Sequence, residues 1–187
     1  MTEPNIVKDI IFILDESGSM SSMFDEPVQS VNNFINEQKK ILGSKFSLLT
    51  FNSKVKTIIN NVPLQDVEEF KDYKPRDMTA LYDAIGEAIT NKQKTNDYDN
   101  VICVILTDGL ENCSTKFKQK QVFDMITDME KNHGWSFIYL GANQDVIKIG
   151  KDMGLSANSC ALYECRSGEM MRIVKTASNF VSRERSM

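Results

Sequence analysis

At 187 residues the chain is long enough for one full-sized hydrophobic core, and we expect a single domain over residues 1–187 with its core between about 6 and 182. The composition, 41% apolar and 26% charged, is that of a globular protein, and no apolar run approaches the roughly 20 residues of a membrane helix, so we expect no membrane contact. The net charge of -4 provides no basic face, which argues against DNA or RNA as a partner.

The N-terminal sequence MTEPNIVKDI lacks the charged and then apolar pattern of a secretory signal. We therefore expect a cytoplasmic location, in which the four cysteines stay reduced. The chain has one histidine and no CxxC pair, so a structural zinc site is not expected.

Apolar strands alternate with amphipathic stretches along the chain. The first strand, KDIIFILD, is continuously apolar, which is typical of a parallel sheet covered on both faces. The stretch EPVQSVNNFINEQKKIL repeats apolar residues at helical spacing. The strands KFSLLTF and KVKTIIN then follow each other across Asn52-Ser53, which predicts a hairpin and hence an antiparallel edge strand.

The alternation continues to the end of the chain. In order, the elements are a helix (ALYDAIGEAITNKQK), a strand (NVICVILTD), a helix (KFKQKQVFDMITDMEKN), a strand (GWSFIYLGA), a short helix (DVIKIGKDMG), a short strand (NSCALYE) and a terminal helix from Ser167 to about Arg185 with a frayed tail. This pattern predicts an α/β fold: a doubly wound, mostly parallel six-stranded sheet with one antiparallel edge strand and helices on both faces.

Carboxylates mark the ends of two predicted strands. Asp15 ends the first strand and Asp108 ends the fourth. In doubly wound sheets, ligands bind outside the carboxyl ends of the strands, near the switch in strand order. If the first and fourth strands are neighbours, these two side chains face each other across that crevice.

Three chemistries are compatible with an aspartate followed by Ser17 and Ser19. A phosphatase of the haloacid dehalogenase type usually has a second acid two residues after the first, where Ser17 stands here. A serine nucleophile needs a nearby base, and His133 is predicted at a helix end opposite the crevice. For a metal site, in contrast, the sequence supplies every component, because the hydroxyl and carboxylate oxygens of these residues suit Mg²⁺ or Mn²⁺.

The sequence Asp15-Glu16-Ser17-Gly18-Ser19 resembles the Asp-x-Ser-x-Ser motif of von Willebrand factor type A (vWA) domains, which hold a metal-ion-dependent adhesion site (MIDAS). The family's further elements occur in order, as Thr79 in MTALYDAI and Asp108 in TDG, and the resemblance covers nearly the whole chain. It implies a Rossmann-like vWA fold. It also implies a site for Mg²⁺ or Mn²⁺ formed by Asp15, Ser17, Ser19, Thr79 and Asp108.

The resemblance assigns roles within that site. The serine hydroxyls would bind the cation directly and Thr79 directly or switchably, whereas the two aspartates would act largely through water, with direct binding by one of them as the alternative. An Asp or Glu of a partner protein would complete the coordination. We therefore predict a cation-dependent protein-binding module and no enzyme activity. A metal-dependent phosphohydrolase of the haloacid dehalogenase type and a structural vWA module with an unoccupied site stay open as alternatives.

Residues beside the motif are candidates for partner contact. Met20, Met23 and Phe24 follow the serines and would supply apolar contact area to a partner, although Met20 would also suit packing beneath the loop. Asp77 stands close before Thr79, where the family often has small residues. Its charge would strengthen cation binding and repel an acidic partner; capping of the following helix is the alternative role.

Overall fold

The computed structural model describes residues 7–187, so part of the N-terminal sequence on which the expected location rests lies outside the described residues. The strands are Asp9–Asp15 (β1), Lys45–Phe51 (β2), Val55–Pro63 (β3), Val101–Thr107 (β4), Ser136–Ala142 (β5) and Cys160–Tyr163 (β6). The helices are Glu26–Gln38 (α1), Leu81–Gln93 (α2), Gln119–Asn132 (α3), Val146–Asp152 (α4) and Glu169–Ser186 (α5). A short 3-10 helix, Gly18–Met23, follows β1.

The strands form one sheet in the order β3-β2-β1-β4-β5-β6. The edge strand β3 pairs antiparallel with β2, and the other neighbouring pairs are parallel. This arrangement confirms the predicted doubly wound α/β fold with one antiparallel edge strand. The chain moves from β1 to β2 on one side and later to β4 on the other, so the switch in strand order lies between β1 and β4.

Both faces of the sheet are covered by helices, which explains why the central strands are continuously apolar. On one face, Phe12 of β1 packs edge-to-face against Phe34 of α1, with ring centroids 5.2 Å apart. This cluster also contains residues of α5. On the other face, Ile13 and Ile105 belong to a cluster with residues of α2 and α3. The two layers fix β1 and β4 side by side and leave their carboxyl ends at one edge of the sheet.

The expectation of a frayed C-terminal tail is wrong. Helix α5 continues to Ser186, and Arg185 is only 5% exposed. Its guanidinium donates to the backbone carbonyls of Gln38 and Ile41 at 2.9 and 2.8 Å and to the Ser44 hydroxyl at 3.0 Å. These carbonyls lie at and just beyond the end of α1, where a helix leaves acceptors without partners of its own. A charged tail residue therefore completes the hydrogen bonding of another helix.

None of the helices described between residues 7 and 187 combines the length and the apolar character that crossing a membrane requires.

Candidate metal centre at the carboxyl ends of β1 and β4

Asp15 is fully buried at the end of β1 and both of its carboxylate oxygens accept hydrogen bonds. Oδ1 accepts the Ser17 N–H at 2.7 Å, which turns the chain sharply after the strand. Oδ2 accepts the hydroxyl of Thr107, the last residue of β4, at 2.6 Å. Burial raises the pKa of Asp15 to about 6 against the opposing hydrogen bonds from Thr107 and Ser17, and the charge of the nearby Asp108 contributes a smaller part of this rise. Hydrogen bonds thus fix the orientation of the Asp15 carboxylate, and a cation bound nearby would stabilise its charged form.

The two motif serines and Asp108 form a continuous polar chain. Ser17 Oγ lies 3.2 Å from Ser19 Oγ, and the Ser19 hydroxyl donates to Asp108 Oδ1 at 2.6 Å. Ser17 is buried, whereas Ser19 is exposed to solvent. Burial raises the pKa of Asp108. The first turn of the 3-10 helix therefore brings both hydroxyls to the carboxyl end of β4, as the strand order requires.

Thr79 reaches the same point from the segment before α2. It is buried, and Asn112 holds its backbone: the Thr79 N–H donates to Asn112 Oδ1 at 2.9 Å and the Asn112 N–H to the Thr79 carbonyl at 3.0 Å. A Cβ atom placed on Gly109 would lie 3.1 Å from Thr79 Oγ1 and 3.7 Å from both Asp15 Oδ2 and Ser19 Oγ. Side-chain oxygens from three separate segments therefore converge over the backbone of Gly109.

The donor set of this cluster suits a hard divalent cation. It offers three hydroxyls and two carboxylates, the oxygen ligands that Mg²⁺ and Mn²⁺ accept. Over residues 7–187, no group of three or more His, Cys, Asp or Glu side chains is placed to hold a metal ion. Hydroxyl oxygens are thus the distinguishing part of this candidate centre. All five residues chosen from the sequence meet there: Asp15, Ser17, Ser19, Thr79 and Asp108.

Two of the residues chosen for partner contact are in the wrong place. Met20 and Met23 are 0% and 5% exposed and belong to the core cluster that contains Phe34. The 3-10 turn rotates both side chains inward beneath the serine loop, so neither is available to a partner. Phe24, the next residue, is 82% exposed and has a positive φ of 52°. The turn thus buries two of the three apolar residues and presents the third.

Asp77 is exposed and also has a positive φ, of 64°. Its carbonyl accepts the Gly18 N–H at 3.0 Å, and its carboxylate lies 3.8 Å from Arg76 Nε. Helix α2 begins at Leu81 with Ala80 as its cap residue, so Asp77 is not the helix cap. Its place beside the serine loop leaves the carboxylate at the margin of the centre.

Sequence reasoning missed several residues that support the site. Thr107, which orients Asp15, carries only the weak signal of a polar residue ending an apolar strand. Asp83, a charged residue in the first turn of α2, is only 5% exposed. Its carboxylate accepts the N–H groups of Lys116 and Phe117 at 2.9 and 2.8 Å. Asp83 thereby anchors the loop that follows Asp108.

The exposed apolar residues at the margin of the centre were also missed in part. Met78 is 54% exposed and precedes Thr79, and Leu110 is 57% exposed and follows Gly109. With Phe24, which follows the serine loop, they are exposed apolar residues close to the candidate ligands in sequence, and we call Phe24, Met78 and Leu110 the apolar rim. The signal in the sequence was their adjacency to the proposed ligands.

His133 does not lie at this edge of the sheet. It ends α3, ahead of β5, and its Nδ1 lies 2.7 Å from Asp99 Oδ1. The amino ends of β4 and β5 are there, opposite the serines. The structure thus gives Ser17 and Ser19 no imidazole base from His133, and the serine-nucleophile interpretation loses its general base.

Comparison with known proteins points to one family. The family model described as the von Willebrand factor type A domain matches residues 9–176. No curated protein matches the chain.

Solved structures with this fold come from distant sources. The von Willebrand factor domain of the type V pili tip protein Mfa5 from Porphyromonas gingivalis aligns with a TM-score of 0.72 at 9% identity, over 96% of each chain. The PilB minor pilin from Streptococcus sanguinis aligns with a TM-score of 0.68 at 11% identity, over 100% of this chain and 63% of the pilin. Proximal thread matrix protein 1 (PTMP1) from the mussel byssus, described with a zinc-occupied MIDAS motif, aligns with a TM-score of 0.68 at 18% identity.

The alignment with that mussel protein covers 96% of this chain and 49% of the mussel chain, so this chain spans about half the length of that relative. At these identities the structural likeness shows the fold alone. The family model, in contrast, matches most of the sequence, from the start of β1 into α5. The chain belongs to the von Willebrand factor type A domain family.

Proposed function

We propose that this vWA domain binds Mg²⁺ or Mn²⁺ and uses the cation to dock an Asp or Glu side chain of a partner protein. The observation that carries the proposal is the convergence of the Thr79, Asp15 and Ser19 side-chain oxygens over Gly109. The structural neighbour described with a zinc-occupied MIDAS supports a divalent cation in this fold. The oxygen donor set favours Mg²⁺ or Mn²⁺ over zinc.

Each side chain has a distinct part in this proposal. The hydroxyls of Ser17 and Ser19 bind the cation, and Thr79 adds a third hydroxyl. Asp108 Oδ1 accepts the Ser19 hydroxyl proton, with 2.6 Å between the two oxygens, which leaves a lone pair of the Ser19 oxygen for a cation. Asp15 holds the serine turn through the Ser17 N–H. A cation bound mainly by neutral hydroxyls supplies an electron-poor position for an outside carboxylate.

The surroundings of the centre suit a protein partner. Ser19 is exposed, so an incoming carboxylate can reach it from solvent. The apolar rim supplies exposed apolar area beside the polar centre, which is the composition expected of a protein-binding surface. We propose that Phe24 of the rim and Asp77 at the margin contact the partner.

Calorimetric titration with Mg²⁺ and Mn²⁺ tests the cation site. The variant Ser17→Ala/Ser19→Ala removes two hydroxyl ligands. The matched control is Ser21→Ala/Ser22→Ala, which changes two exposed serines of the same 3-10 helix. We expect wild type and control to bind the cation alike and the Ser17→Ala/Ser19→Ala variant to lose binding. Equal affinity in all three proteins would end the proposal.

Docking is tested with a purified partner once one is identified. We expect the complex to form with Mg²⁺, to dissociate with EDTA and to be lost in Ser17→Ala/Ser19→Ala. Surface plasmon resonance with the partner's candidate Asp or Glu changed to Asn or Gln identifies the docking carboxylate. A complex of undiminished affinity in EDTA would show that the partner does not use the cation.

A further inference from the structure

Residues 67–80, which we call the strap, connect the turn Leu64–Asp66 to α2 and adopt neither helix nor strand. Thr79 lies near the end of the strap, so the path of the strap decides where the Thr79 hydroxyl lies. Because such a segment has no ladder or helix of its own, its backbone groups need partners elsewhere. The contacts that hold the strap therefore bear directly on the cation site.

The half of the strap nearest Thr79 is tied to the serine motif. The Lys74 N–H donates to Glu16 Oε1 at 2.8 Å. The Arg76 N–H donates to the Glu16 carbonyl oxygen at 2.9 Å, and the Gly18 N–H donates to the Asp77 carbonyl at 3.0 Å. Backbone hydrogen bonds thus join the serine motif, residues 15–19, to the second half of the strap, and the two segments lie side by side.

The first half of the strap has separate anchors. The carboxamide of Asn32, on α1, donates to the Phe70 carbonyl at 2.8 Å and accepts the Phe70 N–H at 2.8 Å. The Tyr73 hydroxyl donates to the Asp15 carbonyl at 2.6 Å. These contacts hold the strap against the body of the domain. Between these anchors and Thr79, the strap is held by the bonds to Glu16, by the Gly18 N–H on the Asp77 carbonyl, and by the Met78 N–H, which donates to Ser53 Oγ at 3.2 Å.

Glu16 is an unusual residue for a position between two proposed ligands. Its carboxylate is 3% exposed, with Lys56 Nζ 3.6 Å from Oε2 and the Lys74 N–H on Oε1. Burying a carboxylate costs free energy unless it is paired and hydrogen-bonded. The Glu16 carboxylate therefore favours arrangements in which Lys56 and the Lys74 N–H stay in place. The side chain extends toward the strap, where it accepts the N–H of Lys74.

We propose that Glu16 is a positioning residue: by binding the Lys74 N–H it fixes the strap, and through the strap it fixes the Thr79 hydroxyl at the cation site. The inference rests on the proposed function, because it takes Thr79 to contribute to cation binding. Without the Glu16 carboxylate, Thr79 keeps its two backbone bonds to Asn112, but the segment before it is less constrained, and the strap populates arrangements in which the Thr79 side chain is displaced. Only the fraction of molecules with Thr79 in place binds the ion at full affinity, so the apparent affinity falls by that fraction.

A double-mutant cycle tests this coupling by Mg²⁺ calorimetry. We expect Glu16→Ala to weaken binding about tenfold, the lower end for loss of a residue that orients a metal ligand. Glu16→Gln keeps an acceptor oxygen for the Lys74 N–H and is expected to restore near-wild-type affinity. In a Thr79→Ala background, Glu16→Ala is expected to have no further effect, because the two residues act as one unit.

Glu26→Ala is the matched control. Glu26 is another buried glutamate that accepts backbone N–H groups, from Gly168 and Met171 at 3.2 and 3.1 Å, away from the proposed ligands. We expect this change to leave Mg²⁺ affinity unaltered. A wild type that binds no cation would overturn both this inference and the proposed function. A binding-competent wild type with Glu16→Ala unchanged, or with independent effects of the Glu16 and Thr79 changes, would overturn this inference alone.

Hydrogen exchange on the cation-free protein gives a second measurement. The Lys74 and Arg76 amides are expected to exchange faster in Glu16→Ala than in wild type or Glu16→Gln. Unchanged exchange in Glu16→Ala would contradict the proposal. If Glu16→Ala does not fold, Glu16→Met takes its place, since it keeps an apolar stem of similar length but has no acceptor oxygen for the strap.

Discussion

The Ser19 hydroxyl donates a 2.6 Å hydrogen bond to Asp108 Oδ1, across 89 positions of sequence. The bond joins the loop after β1 to the end of β4, which are neighbours only because the strand order reverses there. It also consumes the single proton of Ser19, so Ser19 is the acceptor in its 3.2 Å contact with Ser17 Oγ and keeps one lone pair for a cation. The relationship thus makes Asp108 the group that orients Ser19.

Changing Asp108 to alanine is expected to weaken Mg²⁺ binding roughly 10–100-fold, because Ser19 loses its acceptor and the centre loses a charge. Calorimetric titration measures the change. Asp99→Ala is the control, since Asp99 pairs with His133 at the other end of the sheet. Equal losses in both variants would show a general effect of charge and not a local role for Asp108.

Gly109→Ala is expected to weaken Mg²⁺ binding by about tenfold while the fold is retained. The added methyl would lie 3.1 Å from Thr79 Oγ1, closer than an ordinary contact, and would shift that hydroxyl by a few tenths of an ångström from its place in the cluster. Gly18→Ala is the matched control within the motif, because a Cβ there meets Asp77 O at an ordinary 3.5 Å. Calorimetric titration of both variants with Mg²⁺ measures the difference. Wild-type affinity in Gly109→Ala would show that the added methyl does not disturb Thr79.

Met20→Ala is expected to lower the free energy of unfolding by about 2–5 kcal/mol, because Met20 is fully buried and its loss leaves a cavity. Phe24→Ala changes an 82% exposed side chain and is expected to stay within about 0.5 kcal/mol of wild type. Urea denaturation measures both. A large loss of stability in Phe24→Ala would argue for a packing role and against a partner-facing one.

Arg185→Ala is expected to lower the free energy of unfolding by about 3 kcal/mol, since it removes a charged donor from the carbonyls of buried Gln38 and half-buried Ile41. Arg183→Ala, at an exposed position on the same helix, is the control and is expected to have an effect below about 0.5 kcal/mol. Thermal and urea denaturation give the comparison. Matching stabilities would mean that the tail contributes no net stabilisation.

Saturating Mg²⁺ is expected to raise the melting temperature, because the ion binds the folded chain alone. At 100 times the dissociation constant the gain is about 2.7 kcal/mol, or about 5–10 °C for a domain of this size. EDTA should reverse the shift, and Ser17→Ala/Ser19→Ala should show none. A melting temperature identical in Mg²⁺, Mn²⁺ and EDTA would favour the structural module with an unoccupied site.

Much of the fold could be predicted from hydropathy alone. Continuous apolar runs such as β1 and β4 are typical of strands buried on both faces, and the short connection at Asn52-Ser53 indicates the hairpin. The convergence of Asp15 and Asp108 also follows, because adjacent parallel strands end at the same edge of the sheet. These inferences need only local pattern and topology.

Side-chain direction in irregular segments could not be predicted in the same way. Met20 and Phe24 are both apolar residues of one loop, yet a 3-10 turn buries the first and a positive φ exposes the second. Asp83 and Arg185 carry charges on helix positions that a pattern treats as solvated. Each instead binds backbone groups of a distant segment, which no local sequence window contains.

The pairing of Asn32 with Phe70 makes the strap dependent on the chemistry of one amide nitrogen. The carboxamide has a donor and an acceptor, as a peptide group has, and it binds both the carbonyl and the N–H of Phe70 in a segment that no strand pairs with. Conversion of Asn32 to aspartate, whether by substitution or by slow deamidation, would preserve the shape of the side chain while setting two oxygens against each other. The attachment of the strap to α1 thus depends on Asn32 remaining an amide.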